Sequence, residues 1–287
     1  MAVHGRRRRR VWAVVAGVGV VLALAGYLTV RFIRSPVSDG CTAHGADGST
    51  VTLDLDQASH AATIAAVAHA RGLPERAVTI ALATAIQESK LRNLSYGDRD
   101  SLGLFQQRPS QGWGTSAQIL DPVHASGEFF DALVRVPDYL GLPVTVAAQR
   151  VQRSGYPEAY ARHEGMAATL ADVLTGREGP GLSCTVGGAY DSGASGGGVA
   201  TEVEREFGGT PTPLPAAGGG VTYSFEADHA AAGWSLALWL VCHATRLHAA
   251  SVTFDGHRWS STASDRGWTR TETGPGRTGT LTVALKR

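Results

Sequence analysis

Acidic residues are missing from the first 34 positions, which hold seven Arg. The bulk charge hides this: 26 Lys and Arg against 25 Asp and Glu give +1, yet without those seven Arg residues 35–287 carry about −6. An acidic body is poorly suited to holding a phosphate backbone by counterion release, which argues against nucleic acid as a partner. Cysteine is scarce, and the three present, Cys41, Cys184 and Cys242, allow only one intrachain bond. No repeat of useful length occurs, and the glycine runs are the only low-complexity feature. His229, His243, His248 and His257 include no pair at i, i+4 spacing and have no carboxylate cluster beside them, so ordinary surface or core histidines are the simpler reading. No metal or organic cofactor is implied.

One long apolar run is present. Positions 6–10 are all Arg, and 11–30 hold no charge over the length of one bilayer crossing. This reads as a transmembrane helix. Five Arg before it against two after it place the N-terminus in the cytoplasm and everything beyond about residue 35 outside a plasma membrane crossed once. The rival reading is a cleaved signal peptide, since Ala23-Leu24-Ala25 fits a small-x-small cleavage site. Both export the body to a compartment where disulfides persist. Cys41 and Cys184 bracket the segment read below as the principal domain, while Cys242 lies in the apolar run LALWLVCHA, where a buried free thiol is common. A Cys41–Cys184 bond is favoured over three unpaired thiols.

Along the chain, 1–34 form the basic tail and anchor, and 35–49 a short polar tether. Asp56 offers an N-cap to an Ala-rich helix over 57–71, closed by Gly72, and Pro74 starts a helix over 74–91 with Val78, Leu82, Ala85 and Ile86 on one apolar face. Residues 93–113 lose helical period and gain turn formers, which suggests an irregular or hairpin-like lobe. Helices resume over 122–136, 144–152 and 156–174. Residues 51–176 thus form a mostly helical domain. The Gly, Ser and Pro composition of 177–220 reads as a linker. Beyond it, strands at 221–225, 251–254, 257–260 and 280–285, a helix at 228–247 and an Asp255-Gly256 hairpin signal make a small α+β domain over 221–287. Its Trp259 and Trp268 suit a core or a wall-binding face, and an accessory role towards a cell-wall or protein partner is expected.

The informative stretch is AIQESKLRNLSYGDRDSLGLFQQRPSQGW, residues 85–113. Glu88 falls near the C-terminal end of an apolar helix, where the macrodipole disfavours a negative charge. Its helical neighbours Ala81, Thr84, Ala85 and Leu91 would partly desolvate the carboxyl and favour the proton-bearing form that a general acid needs. The competing reading is an ordinary i, i+4 pair with Arg92 on a solvated face. Glu88-Ser89 followed by Gly103-Leu104-Phe105-Gln106 resembles the two leading motifs of soluble lytic transglycosylases, members of the lysozyme-like superfamily. In that family a Glu-Ser pair ends the catalytic helix, and a Gly-Leu-Met-Gln segment lies across the cleft. Phe105 replaces the usual Met. The family's third motif, Ala-Tyr-Asn-Ala-Gly, is not present as such. Its nearest match is Ala147-Ala148-Gln149, followed by Tyr156-Pro157-Glu158-Ala159-Tyr160, which looks like the closing helix that brings an aromatic over the acid. The overall pattern also looks like an actinobacterial, membrane-anchored type.

The resemblance covers 56–174 and implies a mainly α, lysozyme-like domain that cleaves peptidoglycan glycan between N-acetylmuramic acid and N-acetylglucosamine, with Glu88 as catalytic acid. Expected substrate contacts are Ser89, Phe105, Gln106, Tyr96, Trp113, and Gln149 or Tyr160 at the N-acetyl group. Aromatic faces match the C–H faces of sugar rings, which is the reason for Tyr96 and Trp113. A second carboxylate would have to come from Asp98 or Asp100, two acids that also suit a simple turn. With one acid, the substrate's own N-acetyl group stabilises the cationic sugar and a 1,6-anhydro end results. The alternatives are a muramidase hydrolysing the same bond and a non-catalytic glycan-binding scaffold.

Overall fold

The computed structural model describes residues 38–156, 158–187, 198–209, 212–214, 221–271 and 279–285. The chain enters through β1 (Gly40–His44) and returns antiparallel in β2 (Thr50–Leu53). Cys41, Ala43, Val51 and Leu53 are buried while their neighbours are not, the period-two pattern of a sheet with one wet face. Residues 40–44 of the expected tether are therefore strand. Asp54 then caps α1 (Leu55–Ala70) through a reciprocal box: its carboxylate accepts from the Gln57 amide at 2.9 Å, and Gln57 Oε1 accepts from the Asp54 amide at 3.1 Å. The box satisfies two donors together, which is why the helix starts before the Asp56 cap expected from sequence.

From Ala61 to Ala68 every residue of α1 is buried, so this helix has no solvent face there and acts as a central post. Around it run α2 (Glu75–Ser89), the short α3 (Ser116–Ile119), α4 (Pro122–Leu133), α5 (Val144–Gln152) and α6 (Glu164–Leu174). A strand β3 (Leu182–Thr185) completes a three-stranded antiparallel sheet in the order β2-β1-β3. Its register sets Cys41 opposite Cys184, and the two are joined in the expected disulfide. Cys242 is a free, buried thiol, pushed up to about 12 by burial.

The segment read as a linker contains α7 (Val199–Phe207), followed by β4 (Thr212–Leu214). Then come β5 (Thr222–Glu226), α8 (Ala230–Cys242), β6 (Ala249–Phe254), β7 (His257–Ser260), β8 (Thr269–Arg270) and β9 (Thr280–Leu285). They build a six-stranded antiparallel sheet, β4-β5-β9-β6-β7-β8. Asp255 and Gly256 both take positive φ, 46° and 70°, as the hairpin signal requires. Both α7 and α8 pack on α1. Ser235 of α8 donates to the Leu174 carbonyl at 2.8 Å, Trp259 to Cys184 at 3.0 Å and Trp268 to Leu182 at 2.8 Å. These tryptophans belong to the packing, and Asp39–Arg287 form one compact unit.

Two expectations are corrected here. The fold is not a mainly α domain with a small α+β appendage, because two antiparallel sheets are packed with the helices around one shared core, giving an α+β architecture. The transmembrane segment 11–30 and the alternative cleavage site at 23–25 lie outside the described residues, and among the described residues no helix is long and apolar enough to cross a membrane. The single-pass plasma-membrane placement is therefore corrected: among the described residues it has no spanning helix to rest on.

Candidate active site

Helix α2 ends at Ser89, and the next two residues, Lys90 (φ 57°) and Leu91 (φ 59°), are both left-handed. Non-glycine residues pay about 1–2 kcal/mol each for that conformation, so something must hold them. Two side chains of α1 do. Gln57 Nε2 donates to the Lys90 carbonyl at 2.9 Å, and His60 Nδ1 to the Leu91 carbonyl at 2.8 Å. Burial pushes the His60 imidazole below its ordinary range, which favours the neutral ring donating through Nδ1. The reversal turns Arg92 away from Glu88 and into an ion pair with Asp54. The i, i+4 pairing of Glu88 with Arg92 does not form.

Half-buried Glu88 instead accepts a hydrogen bond at 2.6 Å from the hydroxyl of Tyr160, which is itself fully buried. Burial first, and the Glu88 carboxylate second, push the Tyr160 phenol above its ordinary range, so it stays a donor; a hydrogen bond with Ser154 acts the other way. Beside Glu88, Gln87 Oε1 accepts from Arg162 at 2.8 Å and from His163 at 3.0 Å. Burial, then Arg162, lowers the His163 imidazole.

Ser89 is buried, and its hydroxyl donates to the Leu104 carbonyl at 2.7 Å while accepting from the Arg92 amide at 3.2 Å. The Glu-Ser pair is thereby tied to the Gly-Leu-Phe-Gln segment through the Ser89 hydroxyl. Phe105 is likewise core, stacked on Phe129 with ring centroids 4.6 Å apart. The lobe is the expected hairpin: Leu102 and Gln107 form an isolated antiparallel bridge. Gln106 donates to the carbonyls of Gly103 at 3.2 Å and Tyr96 at 3.4 Å, and a Cβ on Gly97 would lie 1.9 Å from its Oε1 and 2.7 Å from the fixed Ser101 carbonyl oxygen, so only glycine fits there. Gln107 points inward to the Ala125 carbonyl at 3.1 Å. Gln149 donates to the Ser154 carbonyl at 2.8 Å, and its buried Oε1 has no partner. Tyr96 is 71% exposed, and Trp113 packs partly on the core.

Neither loop acid offers itself as a partner for Glu88. The Ser110 hydroxyl and amide and the Arg108 guanidinium hold Asp100 well below the usual carboxylate range, with Arg108 Nε at 2.6 Å and the Ser110 amide at 2.9 Å. Asp98 is 93% exposed and lies 3.9 Å from Arg99. Among the described residues the one group spaced to hold a metal is Cys41, Cys184 and Cys242, and two of these are joined in the disulfide.

Sequence reasoning missed Gln152, which donates to the Phe105 carbonyl at 2.7 Å, and Ser154 beside Tyr160. Gln152 sits one turn after Gln149 on a correctly read helix, so its face was legible; Ser154 follows the helix end and carried no signal. Two cavities border these elements. One, of about 660 Å³, is lined by Trp113, Glu128, Arg135, Arg150, Gln152 and Arg153 among others. The second, of about 510 Å³, is lined by Gln57, Gln87, Lys90, Leu91, Arg162 and His163 among others. Compared with known proteins, the chain matches no family model and no curated protein.

Proposed function

We propose that this chain is a lytic transglycosylase that cleaves peptidoglycan glycan with a single carboxylic acid, Glu88, and leaves 1,6-anhydro-N-acetylmuramic ends. The observation that supports this most is the pairing of Glu88 with the buried Tyr160 hydroxyl while Asp98 and Asp100 are engaged elsewhere or open to solvent. Tyr160 occupies Oε1, which leaves Oε2 to exchange a proton. Protonated Glu88 donates to the glycosidic oxygen as the C1–O bond breaks, and the substrate's N-acetyl carbonyl closes on C1. Negative charge then develops on the carboxylate, and the Tyr160 hydrogen bond stabilises it where it forms. The ionised Glu88 next takes the proton of the sugar's 6-hydroxyl, whose oxygen attacks C1 and expels the N-acetyl oxygen. No water is consumed and Glu88 is restored to its acid form. Ser89 holds the hairpin lobe against the helix that carries the acid, Gln152 ties it to α5, and the close packing of Gly97 on Gln106 is internal to the lobe.

Digestion of purified cell wall followed by mass spectrometry tests this. Wild type should release fragments that lack the mass of an added water, and E88Q should release none. Fragments one water heavier at each cut would make the enzyme a muramidase. If wild type and E88Q clear the wall equally, or neither does, the catalytic reading fails and a glycan-binding role takes its place.

A further inference from the structure

The cavity of about 660 Å³ carries a charge that its surroundings do not explain. Arg135, just beyond α4, and Arg150 and Arg153, at the end of α5, line it together with a single acid, Glu128. Among the described residues none of the three arginines is in an ion pair. Arg150 has only a long contact, 3.4 Å, to the Pro137 carbonyl. A helix C-terminus favours cations, which accounts for Arg150 and Arg153 but not for Arg135, which comes from a separate element. Outside the first 34 residues the chain is acidic, so a convergence of unpaired guanidinium groups is not a sample of its general surface. Guanidinium forks fit carboxylates bidentately. Two of its wall residues connect the cavity to the candidate active site: Gln152 holds the Phe105 carbonyl next to Gln106, and Arg153 immediately precedes Ser154, the hydrogen-bonding neighbour of Tyr160.

We propose that this cavity is a carboxylate-binding subsite that receives the acidic peptide branching from the glycan strand, so that peptide-bearing strands are preferred over bare ones. The proposal rests on the peptidoglycan reading above. The arginines take the free carboxylates of the peptide, and Trp113 offers an apolar face to its aliphatic carbons or to the adjoining sugar. Glu128 disfavours occupants with more negative charge than the arginines can match, and leaves room for a peptide that also carries an amine.

The test compares intact glycan strands with strands stripped of peptide by an amidase, using wild type and the double variant R135Q/R150Q. Loss of charge-assisted contacts in an open cavity is worth about tenfold. Wild type should show about tenfold lower KM on peptide-bearing strands, and in the double variant that ratio should fall towards one. R150K, which keeps the charge but loses the fork, should retain only part of the preference, and raising the salt concentration should erode it in wild type. Equal KM values for wild type on both strands, or an equal rise on both in the variant, overturn the subsite. Binding of an N-acetylmuramoyl dipeptide and of its carboxamide form, followed by calorimetry, separates this inference from the catalytic one. Arginine-dependent preference for the carboxylate without any strand cleavage would keep the subsite and remove the enzyme; cleavage without that preference would do the reverse.

Discussion

Acidification should destabilise this fold chiefly through His243. Its ring is buried at the foot of α8, where Nδ1 donates to the Trp239 carbonyl at 2.9 Å and Nε2 faces the Thr63 hydroxyl of α1 at 3.4 Å. Burial first, then the positive charge of Arg246, lowers the imidazole from an ordinary 6.5 to about 3. Below 6.5 the unfolded chain takes up a proton at His243 that the folded chain refuses until about 3, so stability is intact above 6.5 and falls as the pH drops through this window. Going from pH 7 to pH 5 should cost about 2 kcal/mol from this residue. The nearby Glu206 slopes the other way. Burial raises its carboxyl, so its contribution is whole below the ordinary carboxylate range and fades as pH rises through the raised value. Denaturant titrations at pH 7 and pH 5, on wild type and His243→Asn, isolate the histidine. If the variant loses as much stability as wild type between those two pH values, the ring is not held neutral and the reasoning is wrong.

Tyr160→Phe removes the donor to Glu88 and should lower kcat about 10- to 100-fold at little cost in KM, since it strips a hydrogen bond to a developing charge; a change under about twofold by wall-clearing assay would deny Tyr160 that role. Replacing both Cys41 and Cys184 by Ser opens a loop with sequence separation 143 and should cost about 5 kcal/mol in the chain-entropy picture, read from denaturant melts. His60→Ala frees the Leu91 carbonyl and should destabilise by about 1–2 kcal/mol. It should also reduce cleavage more than an equally destabilising Val283→Ala in the far sheet, and equal losses would mean that the turn does not set the acid's position. Ending the chain at residue 220 removes α8 from α1, so the truncated protein should lose its cooperative melt instead of behaving as a trimmed enzyme.

Short-range chemistry was legible in the sequence wherever it decided the outcome. Helix 144–152, strands 257–260 and 280–285 and the Asp255-Gly256 turn all stand where local pattern puts them. What escaped depended on distant partners. The β1–β3 pairing joins residues 143 apart, and nothing local in GCTAH announces a strand whose mate is that far away. The glycine-rich composition of 177–220 hid α7, whose Val199 and Val203 are buried while Arg205 pairs with Asp121. At the site the resemblance points to an aromatic from 156–160 over Glu88, but the hydrogen bond from Tyr160 itself was not legible, because it spans 72 residues. Ser89 and Phe105, expected at the substrate, are buried and held within the protein, because a motif fixes which residues occur together and leaves open whether they face the cleft or hold its walls.

The left-handed turn after Ser89 gives this site its physical logic. Had α2 run on, Arg92 would stand one turn above Glu88 and neutralise it on the helix surface, at a gain of about 0.2–0.5 kcal/mol. Ending the helix at Ser89 forgoes that pair and puts two non-glycine residues in a region costing about 1–2 kcal/mol each. Gln57 and His60 recover part of this by binding the two carbonyls that the turn exposes, and Arg92 finds Asp54, the residue that also caps α1. A carboxylate stripped of its cation and handed to a buried phenol is a poor arrangement for stability alone. In the proposed mechanism the arrangement serves proton transfer, because a carboxyl that is not locked to an arginine keeps one oxygen open to exchange a proton with the substrate. Helix α1 thus holds the turn that follows Glu88, and through Thr63 and His243 it is also the element on which the C-terminal sheet and helices are built.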